Sequence, residues 1–569
     1  MARWLRRSAD PAAVESLGSS LRVPPLLARL LVQRGWTDPA EAHRFLYPSL
    51  DHLHDPYRML GMRAAVDRLR RAVARGEKIL IYGDYDVDGT TAVVLVRKAL
   101  EMVGGSAGFH IPHRLKDGYG MREEVIERAA QEGVGLIVSV DTGTRAAAVV
   151  ERAAQLGIDC IITDHHLPDA ELPPALALLN PNQPGCPYPE KNLSGVGVAF
   201  KLAQALLGGL DWTPQRRQKV LASMLRLVAI GTVADVVPLV GENRTIVKFG
   251  LDGLARPVNV GLKALLSSAG FREGRTPTAG EVAFRVAPRL NAAGRMDTAA
   301  DVIELFTVAA PARAGEIAEK LNGLNATRQQ AEADIVEQAL AAWPEGLPAD
   351  QASVVAAGES WHRGVIGIVA SRLVDRFHRP TLVVSIDPEE GVAYGSGRSI
   401  RGFHLLEALE SMHGLFIRHG GHRQAAGFSL AAERVDELRR RFEEYARDRL
   451  TAEDFIPEIH IDADVSFAEI TDENMALLGR LEPYGFGNPE PVFAALGVSV
   501  SSEPRVLKEK HLKLSLRQNG RTLGAVGWRM AEAAAGLTAG AVLDAAFTVE
   551  PDQYWGGWQL VLRDLIPRR

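Results

Sequence analysis

The chain has 569 residues, 46% of them hydrophobic and 24% charged, with a formal net charge of −5. That length exceeds a single hydrophobic core and predicts about three or four domains, and the composition is that of a globular protein rather than a disordered one. No run approaches the roughly 18 apolar residues of a membrane span, and the N-terminal MARWLRRSADP lacks the apolar stretch of a signal peptide, so a cytoplasmic protein with no membrane partner is expected. The two cysteines, Cys160 in an apolar run and Cys186 in a Pro-rich loop, form neither a metal pattern nor a disulfide framework. The net charge argues against bulk attraction to nucleic acid and leaves room for a local basic groove.

Residues 1–75 mix short helices with Pro-containing turns and read as an N-terminal helical lobe that ends in an amphipathic stretch over 62–75. Residues 76–310 read as an α/β catalytic domain. The apolar runs KILIY, GLIVSV and IDCIIT alternate with the helical periods AVVLVRKAL and RAAAVVERAAQLG, the pattern of a parallel sheet with helices on both faces. A further helical region over about 241–309 includes the loop-like string APRLNAAGRM. Residues 311–345 read as one long connector helix, with Ile317, Leu321, Leu324, Ala331, Ile335 and Ala339 on one face; Pro344, Gly346 and Pro348 end it. Residues 346–452 read as a smaller α/β domain built from SVVAAG, VIGIVASRLVDRF and TLVVSI. In residues 453–569 the alternating strands HLKLSLRQ, RTLGAVGW, VLDAAFTV and WQLVLRDL predict a small β-barrel of the OB-fold type.

Chemistry enters at YGDYDVDGTT. Asp84, Asp86 and Asp88 alternate after the apolar run Ile79, Leu80 and Ile81, so an extended segment would crowd three carboxylates onto one side. Gly89 is read as a sharp turn, and Thr90 and Thr91 as the opening of a helix over 92–100. Crowded carboxylates repel, a cost met by a cation among them. Three further sites follow strand or apolar ends: Asp141 in SVDTGT, Asp164, His165 and His166 in TDHH, and Asp235 in GTVADVVPL. Together they would converge on one edge of the sheet. Oxygen ligands with one or two imidazoles suit Mn²⁺ best, with Mg²⁺ as competitor. Two ions roughly 3.5–4 Å apart are then expected, serving in-line attack at phosphorus, so the reaction class is metal-assisted phosphoester hydrolysis. SGVGVAFKL opens a helix but is too short for a phosphate cradle and is read as close packing.

The order DYDVDG, VDTG, DHH and ADVVPL resembles the four motifs of the DHH phosphoesterases. Through APRLNAAGRM, GSGRS, GGHRQAAG and EPYGFGNPEPVF, over about residues 40–569, the chain is most similar to the family's bacterial single-strand-specific 5′-to-3′ DNA exonucleases. The resemblance implies a DHH catalytic domain, a DHHA1 substrate-binding domain at 346–452 and an OB-fold that extends the grip on single-stranded DNA. It implies two divalent ions held by Asp86, Asp88, Asp141, His165 and Asp235, with Asp141 as the bridge. His166 would contact the scissile phosphate or complete the shell, Asp164 would orient a histidine from behind, and Asp84 would be an outer ligand or support. Ser396, Arg398, Gly421 and His422 match positions that hold nucleotide phosphate, and Arg114, Arg289 and Arg295 are further candidates for gripping the strand or its 5′ phosphate. In the barrel, Lys508, Lys510, His511, Lys513, Arg517, Tyr554 and Trp555 are available to single-stranded DNA. The family's partners are a single-strand-binding protein and a helicase; a monomer is expected, without the extra domain after the barrel that some relatives carry. The alternative reading is a DHH phosphodiesterase for short oligoribonucleotides or cyclic dinucleotides, and the added barrel favours the polymer.

Overall fold

In the computed structural model of the chain, which describes residues 2–114, 116–118, 120–552 and 556–568, two compact units separate. The larger comprises Ser49–Leu450 with Gly485–Gly487; the smaller comprises the residues up to Pro48, Thr451–Tyr484 and those from Asn488 onward.

The larger unit is built on a parallel sheet of β1 (Lys78–Tyr82), β2 (Ala107–His110), β3 (Val134–Val140), β4 (Asp159–Thr163) and β5 (Ala177–Leu179), in the order β2-β1-β3-β4-β5. The edge strands β2 and β5 are too short to show as apolar runs in sequence. Alternation sorts the interior strands: Leu136, Val138 and Val140 join one core, whereas Ile137 joins the other. The first core includes residues of α1 (Val87–Met102), α2 (Gly195–Leu207) and α3 (Pro214–Ala234); the second is covered by helices Glu123–Gln131 and Ala147–Gln155. With β2 on one side of β1 and β3 on the other, the strand order reverses between β1 and β3. The crevice at the carboxyl ends of strands flanking such a reversal is where open α/β sheets bind ligands.

Two local expectations are corrected. α1 starts at Val87 rather than near Ala92, because Asp86 caps it by accepting the Gly89 N–H at 3.0 Å. Asp88 therefore lies in the first helical turn, and Gly89 makes a close approach instead of a turn: a Cβ there would sit 2.7 Å from the Asp84 backbone. The string APRLNAAGRM, read as loop-like, is helix α4 (Ala287–Met296), preceded by a π-helical turn over Val282–Val286. Pro288 falls in its first turn, where a missing N–H costs little.

The connector helix α5 (Pro311–Leu340) spans 30 residues, about 45 Å. It leads to a second sheet of β6 (Val354–Glu359), β7 (Thr381–Asp387), β8 (Val392–Arg398), β9 (Phe416–Gly421) and β10 (Ala425–Ala431), in the order β9-β10-β8-β7-β6, with only β6 and β7 parallel. Helix α6 (Ile366–Phe377) packs on β7 and β8, and Glu443 of helix Val435–Arg447 ties down the approach to β6 by accepting the Ala352 and Ser353 N–H groups at 2.9 Å.

In the smaller unit β11 (Phe493–Val500), β12 (His511–Gln518), β13 (Arg521–Gly527), β14 (Val542–Pro551) and β15 (Trp558–Pro567) close into a barrel, β11 pairing with both β14 and β12. Residues 1–75, read from sequence as one lobe, divide at Pro48. Leu17, Leu27, Leu30, Leu31, Phe45 and Leu46 share the barrel's core, and Arg3–Arg6 pairs with Glu458–Ile461. Helix Met62–Arg75 instead turns Met62, Ala65 and Leu69 into the core of the first sheet, and Arg68 bridges Glu77 and Asp159. Among the described residues no helix is long and apolar enough to cross a membrane.

Candidate metal centre and phosphate cleft

Three strand ends and two helix ends bring the acids together. Asp84 and Asp86 follow β1, Asp88 opens α1, Asp141 follows β3, His165 and His166 follow β4, and Asp235 caps the end of α3. Their ligand atoms form three groups, each within 4.8 Å: Asp84, Asp86 and Asp141; Asp141, His165 and His166; and Asp88, His165 and Asp235. Asp141 and His165 each belong to two groups, so the seven residues make one continuous cluster. Asp164 stands behind it. Its carboxylate accepts from the Thr144 N–H at 2.9 Å, from the His165 and His166 N–H groups at 2.7 and 3.1 Å, and lies 2.7 Å from His166 Nδ1.

Three devices hold the cluster. The Asp88 carboxylate accepts the Gly195 and Val196 N–H groups at 2.6 and 2.9 Å, so the N-terminus of α2 receives it. Small residues allow the approach: a Cβ on Gly195 would fall 2.4 Å from Asp141 Oδ1, and one on Gly231 would fall 3.1 Å from Asp88 Oδ1. Backbone strain is stored here as well. Asp141 has φ 59° and Val236, directly after Asp235, has φ 61°, a left-handed conformation that costs a non-glycine residue about 1–2 kcal/mol. The segment SGVGVAFKL, read from sequence as close packing, thus also supplies donors to a carboxylate. Its signal was Ser194 as an N-cap before two glycines.

Electrostatics define what the cluster fits. Burial, then the Asp86 charge, pushes the Asp84 carboxyl up to about 8 and Asp88 up to about 7; burial, then the Asp88 charge, pushes Asp235 up to about 9 and Asp141 well above its ordinary range. His165 is pulled down to about 4 by burial and then by His166, which leaves a neutral imidazole. For His166 burial is outweighed by the hydrogen bond and charge of Asp164, so its pKa rises. His165 Nε2 lies 3.3 Å from Asp141 Oδ1, 3.6 Å from Asp235 Oδ2 and 4.0 Å from Asp88 Oδ2. Yet His165 Nε2, Asp235 Oδ2 and Asp84 Oδ1 are buried with no hydrogen-bond partner among the described residues. Buried acceptors converging on a neutral ring nitrogen fit a divalent cation with mixed oxygen and nitrogen ligands, as Mn²⁺ prefers.

Beside the acids lies a cationic group. Arg295, on α4, donates to Gly364 O at 2.8 Å, and its guanidinium is pulled down to about 10 by burial and then by Arg114, Arg328 and Arg398, with Asp86 acting in the opposite sense. Arg114 lies over the Tyr85 ring at 4.3 Å, and its Nε has no partner among the described residues. Arg398 Nη1 donates to Gly397 O at 2.7 Å and to Ser396 Oγ at 3.3 Å. A Cβ on Gly367 would lie 2.9 Å from Ser396 Oγ, so both side chains rest on the N-terminal turn of α6, which favours anions. Arg328 was not anticipated; it projects from the connector helix and is held by Glu332 and Asn325, and Glu332 also binds Arg372 of α6.

The remaining candidates are held as follows. Arg289 donates to Asn322 Oδ1 and Arg285 O. Gly421, with φ 145°, and His422 are exposed at the end of β9, Gly421 pairing with Ala426, which pairs with Gly397. In the barrel Lys513 and Arg517 lie on β12, and His511 meets the half-exposed Trp528 edge-on at 4.9 Å, an aromatic the sequence reading passed over. Tyr554 and Trp555 lie outside the described residues.

Comparison with known proteins agrees with this layout. Residues 78–232 match the DHH family N-terminal domain, 350–448 the DHHA1 domain and 461–564 the RecJ OB domain. The single-stranded-DNA-specific exonuclease RecJ of Bacillus subtilis is 41% identical over 95% of this chain and 67% of its own length; that of Dickeya dadantii is 39% identical over 90% and 89%. The crystal structure of Thermus thermophilus RecJ with Mn²⁺ superposes with a TM-score of 0.84 at 30% identity, covering all of this chain and 80% of that one, and its Mg²⁺ complex with 0.78. The chain belongs to the RecJ family of DHH proteins.

Proposed function

We propose that the chain is a metal-dependent, single-strand-specific exodeoxyribonuclease that hydrolyses phosphodiester bonds 5′ to 3′, releases 5′-mononucleotides and acts in DNA repair and recombination. The observation that carries the reading is His165 Nε2, buried among Asp88, Asp141 and Asp235 without a hydrogen bond, next to desolvated guanidinium groups. Asp86, Asp88, Asp141, His165 and Asp235 would hold two divalent ions, Mn²⁺ by preference, with Asp141 shared and Asp84 in support. Bound there, the ions would supply a nucleophilic water at neutral pH and charge stabilisation for in-line displacement at phosphorus.

The chain's own groups do the rest. Arg295, Arg398, Ser396 and the N-terminus of α6 bind and orient phosphate, and Arg114 and Arg328 add charge to that grip. Asp164 fixes the His166 ring through Nδ1, leaving its other nitrogen to donate to a phosphoryl oxygen. Gly421 and His422 extend the phosphate contacts along the second sheet, Arg289 grips the strand farther out, and the basic and aromatic side chains around β12 extend the hold on single-stranded DNA. We further read the protein as a cytoplasmic monomer that works with a single-strand-binding protein and a helicase, as the resemblance implies.

Digestion of 5′- and 3′-labelled single strands with added Mn²⁺ or Mg²⁺ tests activity, polarity and metal together. Release of labelled mononucleotide from the 5′ end first, from long strands and not from duplexes, is the expected result. Cleavage confined to dimers and other very short oligonucleotides would overturn it.

A further inference from the structure

The helices that carry Asp88 and Asp235 also build a groove at their opposite ends. From Asp88 to Met102 along α1, and from Asp235 back to Lys219 along α3, the helical rise of 1.5 Å per residue puts the far ends about 20 Å from the acids. There α1, α3 and the segment around Val258–Leu262 enclose about 540 Å³. The floor is aliphatic, with Leu95, Val220, Leu227 and Leu262, and two large apolar side chains stand open at the mouth, Met102 at 43% and Val258 at 73% exposure. The polar lining is of one sign: it includes Lys98, Arg216, Lys219 and Arg226 and no carboxylate.

These cations are not spent on the fold's own acids. Arg226 donates to Gly253 O and Ser223 Oγ, and Arg216 lies over the Trp212 ring at 4.7 Å. Among the described residues neither Lys98 nor Lys219 has a carboxylate partner. An aliphatic floor under an uncompensated cationic rim calls for a ligand with apolar side chains on one face and negative charge on the other. Single-stranded nucleic acid matches the charge but not the floor, since its bases bind by stacking on aromatic faces, and the indole of Trp212 is already covered by Arg216.

We propose that this groove docks an acidic amphipathic peptide segment of a partner protein, its apolar side chains in the floor and its carboxylates against Lys98, Arg216 and Lys219. Such a segment would grip, at their far ends, the two helices that carry Asp88 and Asp235.

Fluorescence anisotropy with the whole chain and a fluorescein-labelled peptide of about ten alternating Glu and Leu residues tests it, the span of a short groove-bound segment. A dissociation constant on the order of 10 μM is expected, weakened about tenfold or more by Lys98→Glu with Lys219→Glu, and likewise by Met102→Asp. An all-Glu peptide of equal length should bind at least about tenfold more weakly, because charge alone leaves the floor unfilled. Thermal melts and digestion of single-stranded DNA should be unchanged in the variants, so a failure of docking is told apart from a failure of the nuclease reading. Peptide binding unaffected by the substitutions overturns the proposal, as does equal affinity for the all-Glu peptide. So does a labelled oligothymidylate that loses affinity in the Lys98→Glu, Lys219→Glu variant while the peptide does not, which would make the groove a nucleic-acid surface. Self-association abolished by Met102→Asp, with no peptide binding, would assign the groove to a second copy and also overturn it.

Discussion

The carboxylates gathered at the ends of β1 and β3, the start of α1 and the end of α3, and the guanidinium groups around Arg295, present one physical problem with opposite signs. In the first, burial and mutual repulsion raise Asp84, Asp88 and Asp235 to about 8, 7 and 9; in the second, burial and three arginines lower Arg295 to about 10. Neither arrangement favours folding by itself. They differ in construction. The acids are fixed by the scaffold's own backbone, through the N–H groups of Gly195 and Val196, the capping N–H of Gly89 and the strained turn at Asp141. The arginines come from separate places, the loop holding Arg114, helices α4 and α5, and strand β8, and are set one by one, Arg295 by Gly364 O, Arg398 by Gly397 O and Ser396 Oγ, and Arg328 by a side-chain network with Glu332 and Arg372. A rigid cation seat and an assembled anion seat imply that chemistry and substrate grip can be broken separately.

The largest break is Asp141→Ala. It should lower kcat by at least about a thousandfold, as loss of a bridging charge-stabilising ligand does, while single-stranded DNA binding measured by anisotropy stays within about threefold. Arg398→Ala should do the reverse, raising KM by about thirtyfold, or about 2 kcal/mol, with kcat changed far less; Arg398→Lys should recover little of it, because a point charge cannot replace the planar fork. A fall in kcat with KM unchanged in steady-state kinetics would mean that the two regions do not divide the work.

Gly195→Ala sharpens the comparison at lower amplitude. The new methyl would meet Asp141 Oδ1 at 2.4 Å, so turnover should fall about tenfold to a hundredfold while circular dichroism and the thermal midpoint show a folded chain. The smallest effect is on stability. Because the folded pKa values of Asp84, Asp88 and Asp235 lie above the ordinary carboxylate value, the metal-free fold keeps protons that the unfolded chain has released. Their contribution is full below about pH 4 and is lost as pH rises through about 7 to 9. With chelator the melting temperature should therefore fall across that window, and Mn²⁺ should remove the fall; a flat profile without metal would contradict the electrostatic account.

Much of this was legible in sequence because strand ends are. KILIY, GLIVSV and IDCIIT mark buried strands, and an acid just after each falls at the ligand-binding edge of a parallel sheet. The start of α1 was less legible, since Asp86 could as well continue an extended run as cap a helix; the cap to the Gly89 N–H, made as the chain folds back until Gly89 meets the Asp84 backbone, decides it. APRLNAAGRM misled through its proline, which in a first helical turn does no harm. Arg328 was hidden because a charged residue in a long amphipathic helix reads as solvated, and its burial depends on Glu332 one turn away. Arg289 and Arg295 come from one motif, and the structure gives them different partners, Asn322 Oδ1 and Arg285 O for the first and Gly364 O for the second, a division the motif alone does not show.

Titration of the metal-free chain with Mn²⁺, with free ion followed by electron paramagnetic resonance, tests the central claim most directly. Two ions bound per chain in the wild type, with at least one lost in Asp141→Ala, is the predicted result. No bound ion, or full occupancy in Asp141→Ala, would contradict it.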